Sequence, residues 1–267
     1  MTRLKLGVAL EALGLPLRPA LDAAARLALD GVQLDAAGEL GPDVLTGTGR
    51  RELRTLFRAH LLDLTAVNCP LRRGLDNPEQ LQARLDHLRK VMQLTVDLGA
   101  NKIIVPLPAV PATADALAPR AVTLREALTA LAAAGDKAGV VVAVEPGLDS
   151  GEAVRDYLSG FDTGSLSVNY DPANFLAHGH DPLAALTALG PKLVHAHARD
   201  ARRSVAGGAK ETPVGAGDID WVLLLATMEA VDYRGTLTVD SEAGASRPAD
   251  VRAGITYLRR FVPPPRR

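Results

Sequence analysis

The sequence predicts an α/β protein folded as a single eight-stranded (β/α)8 barrel. Three observations lead there: eight short β-branched runs, Ala/Leu-rich segments of helical period between them, and a length of 267 residues. That length suits one barrel and is ample for one hydrophobic core.

The runs that read as strands are Lys5 to Leu10, Gly31 to Ala36, Asp63 to Asn68, Lys102 to Leu107, Val140 to Glu145, Leu166 to Asp171, Leu193 to His197 and Thr236 to Glu242. The clearest helical segment follows Asn77-Pro78-Glu79, a capping Asn with Pro at the first helical position. It carries Leu81, Leu85, Leu88, Val91, Met92, Val96 and Leu98 on an apolar stripe until Gly99 ends it. Further helices are expected over Leu17 to Leu29, Thr123 to Ala138, Gly151 to Leu158, Pro182 to Leu189, Trp221 to Ala230 and Ala249 to Phe261. Two polar connections, Gly38 to Thr48 and Arg202 to Asp218, are too long for simple turns. Both fall on the face where such barrels keep their active sites. The expected organisation is one barrel over residues 1–262 and an extended, mobile Pro/Arg tail over residues 263–267.

Composition narrows the function. An apolar content of 47%, 23% charged residues and a formal net charge of -1 fit a globular protein and disfavour nucleic-acid binding through bulk charge. No apolar run is long enough to span a bilayer, and the N-terminus lacks a secretory pattern. Cys69 is the only cysteine, which excludes an intrachain disulfide and a thiolate zinc site and suits a reducing cytoplasm. The expected partner is a small carbohydrate, without nucleic acid or membrane; a homo-oligomer stays open.

The last four predicted strands each end in a residue type that binds metals: Glu145, Asp171, His197 and Glu242. Strand side chains alternate, so inward-facing ends would place Ala143, Asn169, His195 and Asp240 in a layer beneath them. Carboxylates gathered about 4 Å apart repel by roughly 4 kcal/mol per pair at an effective dielectric near 20, which a divalent cation would relieve. Three carboxylates and one imidazole favour Mn²⁺, Mg²⁺ or Co²⁺ over a thiolate-preferring metal, with Mn²⁺ the first choice. Singly, each of these residues is as readily a helix cap or an arginine partner; the set of four is what points to a metal. His195 reads instead as a satisfied interior histidine.

The motifs Val144-Glu145-Pro146, Val168-Asn169-Tyr170-Asp171-Pro172-Ala173-Asn174, His195-Ala196-His197-Ala198-Arg199-Asp200, the run Pro213 to Trp221 and Glu242 together resemble the xylose-isomerase-like TIM barrel superfamily of sugar isomerases and epimerases. The resemblance covers nearly the whole chain. It implies that Glu145 and Glu242 both bind the metal and act as acid/base groups, with Asp171 and His197 completing the coordination. It also implies a substrate contact for Arg203, six residues beyond the metal histidine, and a substrate or ligand-water contact for Asn174. Asn68 and Arg72, at and beyond the third strand, are further candidate substrate contacts. Arg72-Arg73-Gly74, Lys210 and Gly207-Gly208 are candidates for recognising an acidic or phosphorylated sugar. The chain departs from the ketose 3-epimerases of the superfamily where it reads Pro146-Gly147-Leu148-Asp149-Ser150-Gly151, without their second glutamate. The expected activity is a metal-dependent isomerase or epimerase acting on a keto sugar or related polyol through an enediolate. The alternatives are a lyase or dehydratase on the same metal site, as in inositol catabolism, and a non-catalytic sugar-binding barrel.

Overall fold

The computed structural model describes residues 4–205, 207–242 and 247–265; the last two residues of the expected tail and the first three of the barrel lie outside them. Its strands are β1 (Lys5–Ala9), β2 (Gly31–Asp35), β3 (Asp63–Asn68), β4 (Lys102–Pro106), β5 (Val141–Glu145), β6 (Leu166–Tyr170), β7 (Leu193–Ala198), β8 (Asp200–Arg203), β9 (Ala209–Thr212) and β10 (Thr236–Val239). Eight of them close into a parallel barrel in the order β1-β10-β7-β6-β5-β4-β3-β2, and β8 and β9 pair as an antiparallel ribbon. The barrel strands are the eight runs expected from sequence, with ends that differ by up to three residues.

The helices are α1 (Leu17–Arg26), α2 (Gly47–Ala59), α3 (Leu81–Leu98), α4 (Pro119–Ala138), α5 (Gly151–Ser159), α6 (Pro172–Ala177), α7 (Pro182–Leu189), α8 (Trp221–Ala230) and α9 (Arg247–Leu258). They wrap the barrel and share one core with its outer wall. On α3 the residues facing that core include Leu85, Leu88, Val91, Met92 and Leu98. Each such side chain taken fully out of water stabilises the fold by about 1.5–3 kcal/mol. Gly99 ends α3 with φ 88°, a left-handed conformation that glycine adopts at little cost. No helix among the described residues is long and apolar enough to cross a membrane.

Four local expectations are corrected. Asn77 does not cap α3: its Oδ1 accepts from Glu79 N at 2.9 Å in a separate turn, and Gln80, at φ 54°, intervenes before the helix starts at Leu81. The Gly38 to Thr48 connection is not all loop, because Gly38–Leu40 forms a 3-10 turn and α2 begins at Gly47, with Thr46 Oγ1 accepting from Gly49 N. The Arg202 to Asp218 connection holds the β8–β9 ribbon. The last barrel strand stops at Val239, so Asp240, Ser241 and Glu242 lie beyond it.

Asp200 fastens the base of the ribbon to the segment that leads on to α8. Its buried carboxylate accepts from the backbone N–H groups of Ala201, Gly215, Gly217 and Ile219 and from Trp221 Nε1. A Cβ at residue 217 would overlap that carboxylate, so glycine is what lets the backbone come this close.

Inside the barrel, Ala66, Ile104 and Ala143 form a small apolar layer. His195 and Asn169 also lie in the interior, and their side chains find partners there. His195 Nδ1 lies 2.8 Å from Asn169 Oδ1, and its Nε2 lies 3.1 Å from Thr238 Oγ1. Burial, the nearby His197 and Lys102 hold His195 well below its ordinary pKa, which fits the satisfied interior role expected for it.

Candidate metal and active site

Glu145 ends β5, Asp171 follows β6 as the N-cap of α6, and His197 lies near the end of β7. Three neighbouring strands thus deliver three side chains to the C-terminal rim. One donor atom from each lies within 4.8 Å of the other two. Nδ1 of His197 is 3.1 Å from Glu145 Oε2 and 3.6 Å from Asp171 Oδ2.

The surrounding polar groups orient this trio. His197 Nε2 lies 2.9 Å from Gln33 Oε1 on β2; the amide oxygen accepts the Nε2 proton, which turns Nδ1 toward the carboxylates. Both oxygens of Glu145 accept from amides, Oε2 from Asn169 Nδ2 in a short contact and Oε1 from Asn174 Nδ2 at 3.0 Å. Asp171 Oδ1 caps α6 by accepting from Ala173 N at 2.9 Å and Asn174 N at 3.3 Å, while Oδ2 accepts from Arg199 Nη1 at 2.8 Å. The Asn174 side chain bridges Glu145 and Arg199, whose Nη1 lies 3.2 Å from Asn174 Oδ1.

Glu242 stands apart from the trio. Its Oε2 lies 3.2 Å from Arg199 Nη2, and its backbone N–H donates to Glu211 on β9. Glu211 also accepts from Arg199 Nη2 at 2.9 Å and from Ser241 Oγ at 2.6 Å. Arg199 therefore ties together carboxylates from the end of β6, the ribbon and the segment after β10. In the sequence Arg199 stands only within the His195 to Asp200 motif, with no role of its own, and Glu211 is not singled out.

The charges follow from these contacts. Burial opposes ionisation of Asp171, yet Arg199 and His197 outweigh it and hold the carboxyl well below the usual carboxylate range. Burial likewise disfavours a charged His197, but Glu145 and Asp171 push its pKa well above the ordinary value. The arrangement therefore calls for a positive charge between Nδ1 and the two carboxylates, supplied by a proton or by a cation. Partial loss of water around Glu242, with Asp171 and Glu145 nearby, raises its pKa to about 7 against the pull of Arg199.

A second carboxylate group lines the rim on the β1, β2 and β10 side. Glu11 Oε1 accepts from Asp35 N at 2.8 Å, and Asp35 Oδ1 accepts from Asn68 Nδ2 at 2.8 Å. Burial, followed by the charge of Asp35, pushes Glu11 up to about 7. Asn68 thus lies on the rim but bonds to Asp35. The side chains of Arg72 and Arg203 are exposed, and no ion pair among the described residues joins them to the cluster. Lys210 is also exposed, and Gly207 and Gly208 form the ribbon turn at φ 97° and 70°.

A parallel eight-stranded barrel with a histidine and carboxylates at its C-terminal rim is the architecture of one broad class of barrel proteins. Residues 21–261 match the family described as xylose isomerase-like TIM barrel, and the chain belongs to that family. Solved structures share the fold at low sequence identity. A xylose isomerase domain protein from Planctomyces limnophilus superposes with a TM-score of 0.85 at 21% identity, covering 97% of this chain and 99% of its own. A 3-keto-D-glucoside 4-epimerase from E. coli gives 0.74 at 17% identity, covering 97% and 100%. A probable 3-DHS dehydratase from Bacillus anthracis gives 0.75 at 16% identity, covering 96% and 98%. No curated protein sequence matches the chain.

Proposed function

We propose that the chain is a divalent-metal-dependent isomerase or epimerase acting on a keto sugar or related polyol. The observation that carries this reading is the convergence of His197 Nδ1, Glu145 Oε2 and Asp171 Oδ2, with the proton of His197 committed to Gln33 on the far side of the ring. An imidazole nitrogen and two carboxylates suit Mn²⁺ first, then Mg²⁺ or Co²⁺. Glu145, Asp171 and His197 would hold the ion, with Glu242 as the fourth donor expected from sequence. When bound, the ion supplies Lewis acidity toward a carbonyl and a neighbouring hydroxyl, which acidifies the intervening C–H.

The protein's own part is proton transfer. Glu145, oriented by Asn169 and Asn174, takes the proton from one face of the substrate carbon. Glu242, the other carboxylate expected at the site, returns a proton to the other face. An enediolate of the substrate links the two transfers. Asn68 on the rim, Arg72 after β3 and Arg203 on β8 are the proposed contacts for substrate hydroxyls.

Incubating candidate sugars with Mn²⁺-loaded protein in D₂O tests the proposal. Carbon-bound deuterium is expected with the wild type and not with Glu145→Ala; no incorporation across a broad panel of ketoses and inososes would count against enolisation. The dehydratase among the similar folds supports elimination as the second reading. Product mass separates the two, since elimination of water lowers it by one water. Tight sugar binding without exchange or turnover would favour a non-catalytic sugar-binding barrel.

A further inference from the structure

Beside the candidate site, a cavity of about 680 Å³ opens between the β3–α3, β4–α4 and β5–α5 connections. All three connections follow strand C-termini, so the cavity shares the rim that carries Glu145. The cavities lined by Leu4 and Phe261 and by Lys5 and Lys102 belong to the opposite face, where β1 and β4 begin. A volume of this size falls within the roughly 300–1,000 Å³ of small-molecule sites.

The wall is apolar and joined to the site by main chain. Leu71, Leu107, Val110, Pro111 and Leu148 line it. Pro106, also in the wall, is the register partner of Glu145, and Leu107 N donates to Glu145 O at 2.9 Å. Asp149 Oδ2 accepts from Val110 N at 2.8 Å and so pins the two flanking connections to each other. The polar groups in the wall have little to offer a sugar. Asp76 and Arg120 are bonded to each other, with Arg120 Nε at 2.8 Å, and Asp115 is exposed. A second sugar ring would leave most of its hydroxyls facing hydrocarbon, a poor exchange for water.

We infer that this cavity is a subsite for an apolar group attached to the sugar, so that the substrate is a glycoside or ether of a keto sugar with an aryl or branched alkyl substituent. The inference rests on the proposed sugar site at Glu145, because contact through Pro106 and Leu107 is what ties the cavity to that substrate. A bare hexose leaves the cavity to water, whereas an apolar substituent removes both its own surface and the wall from water.

Titration calorimetry of the full chain with paired phenyl and methyl β-glycosides of ring-oxidised (keto) glucose, galactose and xylose, in the presence of Mn²⁺, tests this. At least one phenyl glycoside is expected to bind tenfold or more tightly than its methyl partner. Leu148→Asp, which puts a charge in the wall at a half-exposed position, and Ala118→Trp, which fills the cavity from an exposed one, should each remove that preference while the methyl glycoside keeps its affinity. Equal affinities across every pair, or a phenyl preference that survives both substitutions in folded protein, would overturn the subsite. Deuterium incorporation is scored separately. A phenyl preference without any exchange defeats the isomerase reading and keeps the subsite, and exchange without a phenyl preference does the reverse.

Discussion

Gln33 on β2 and His197 on β7 meet across the barrel interior, with Gln33 Oε1 2.9 Å from His197 Nε2. The bond keeps a proton on Nε2, so that Nδ1 is the nitrogen turned to Glu145 and Asp171, where a cation would take the place of its proton. Gln33→Leu is therefore expected to weaken Mn²⁺ binding about 10–100-fold, the usual effect of removing the partner of a metal-ligating histidine. Calorimetric titration with Mn²⁺ measures it, and an unchanged affinity would mean that Gln33 does not set the ring.

Asp171 has two separable duties. Oδ1 caps α6 and Oδ2 faces His197 and Arg199. Asp171→Asn keeps an oxygen for the cap, whereas Asp171→Ala loses it and should cost about 1 kcal/mol more in urea unfolding. Both substitutions should abolish Mn²⁺ binding.

Arg199 pairs with Asp171, Glu211 and Glu242 at 2.8, 2.9 and 3.2 Å. Breaking a buried ion pair by removing one partner costs about 3–5 kcal/mol. Arg199→Met should lose stability of that order in metal-free protein, measured by urea unfolding. Added Mn²⁺ should recover part of the loss by supplying positive charge to the same carboxylates, and a variant that Mn²⁺ fails to stabilise would argue against a cation site there.

Glu11 gives a pH signature. Its pKa rises from 4.5 to about 7 on folding, so between those values the folded protein holds a proton that the unfolded chain has released. Stability then falls as the pH rises through that window, and the full penalty, up to about 3 kcal/mol, is present above pH 7. Glu11→Gln should match the wild type near pH 4 and unfold at a higher temperature at pH 8. A stability difference that does not change with pH would count against ionisation as its cause.

Cys69 is fully buried, and burial pushes its thiol up to about 12. Thiolate is the reactive form, so the native protein should resist iodoacetamide at pH 8. Mass spectrometry should show one alkylation only after denaturation.

The barrel strands were legible because parallel strands buried on both faces read as β-branched runs, and β6 is buried along its whole length. Helix α2 was not. It opens on Gly47 and Gly49, each costing about 1 kcal/mol relative to Ala inside a helix, and it buries only Leu53 and Phe57. The cap from Thr46 and the pair between Arg50 and Asp97 at 2.7 Å favour it through contacts that no local pattern announces. The ribbon was hidden for a related reason. Arg202, Arg203 and Lys210 are exposed, so β8 and β9 lack the alternation that marks a half-buried strand.

In the candidate site, Glu145, Asp171 and His197 were legible because each ends or adjoins an apolar strand. Asn169 and His195 were also expected beneath them from strand alternation, and they are buried there. The position of Glu242 was not legible, because it depends on Arg199. That side chain reads as a loop residue until β6, the ribbon and the end of β10 come together around it.

The five bonds accepted by Asp200 all come from residues between Ala201 and Trp221. That stretch, with the ribbon inside it, carries its own fastening, while Glu211 reaches out of it to Arg199 and Ser241. It behaves as a cassette: recombination with junctions just before Asp200 and just after Trp221 would transplant Glu211 together with the lock that holds it. Glu211 could then be exchanged between related barrels together with its support, while its partner Arg199 stays with the barrel.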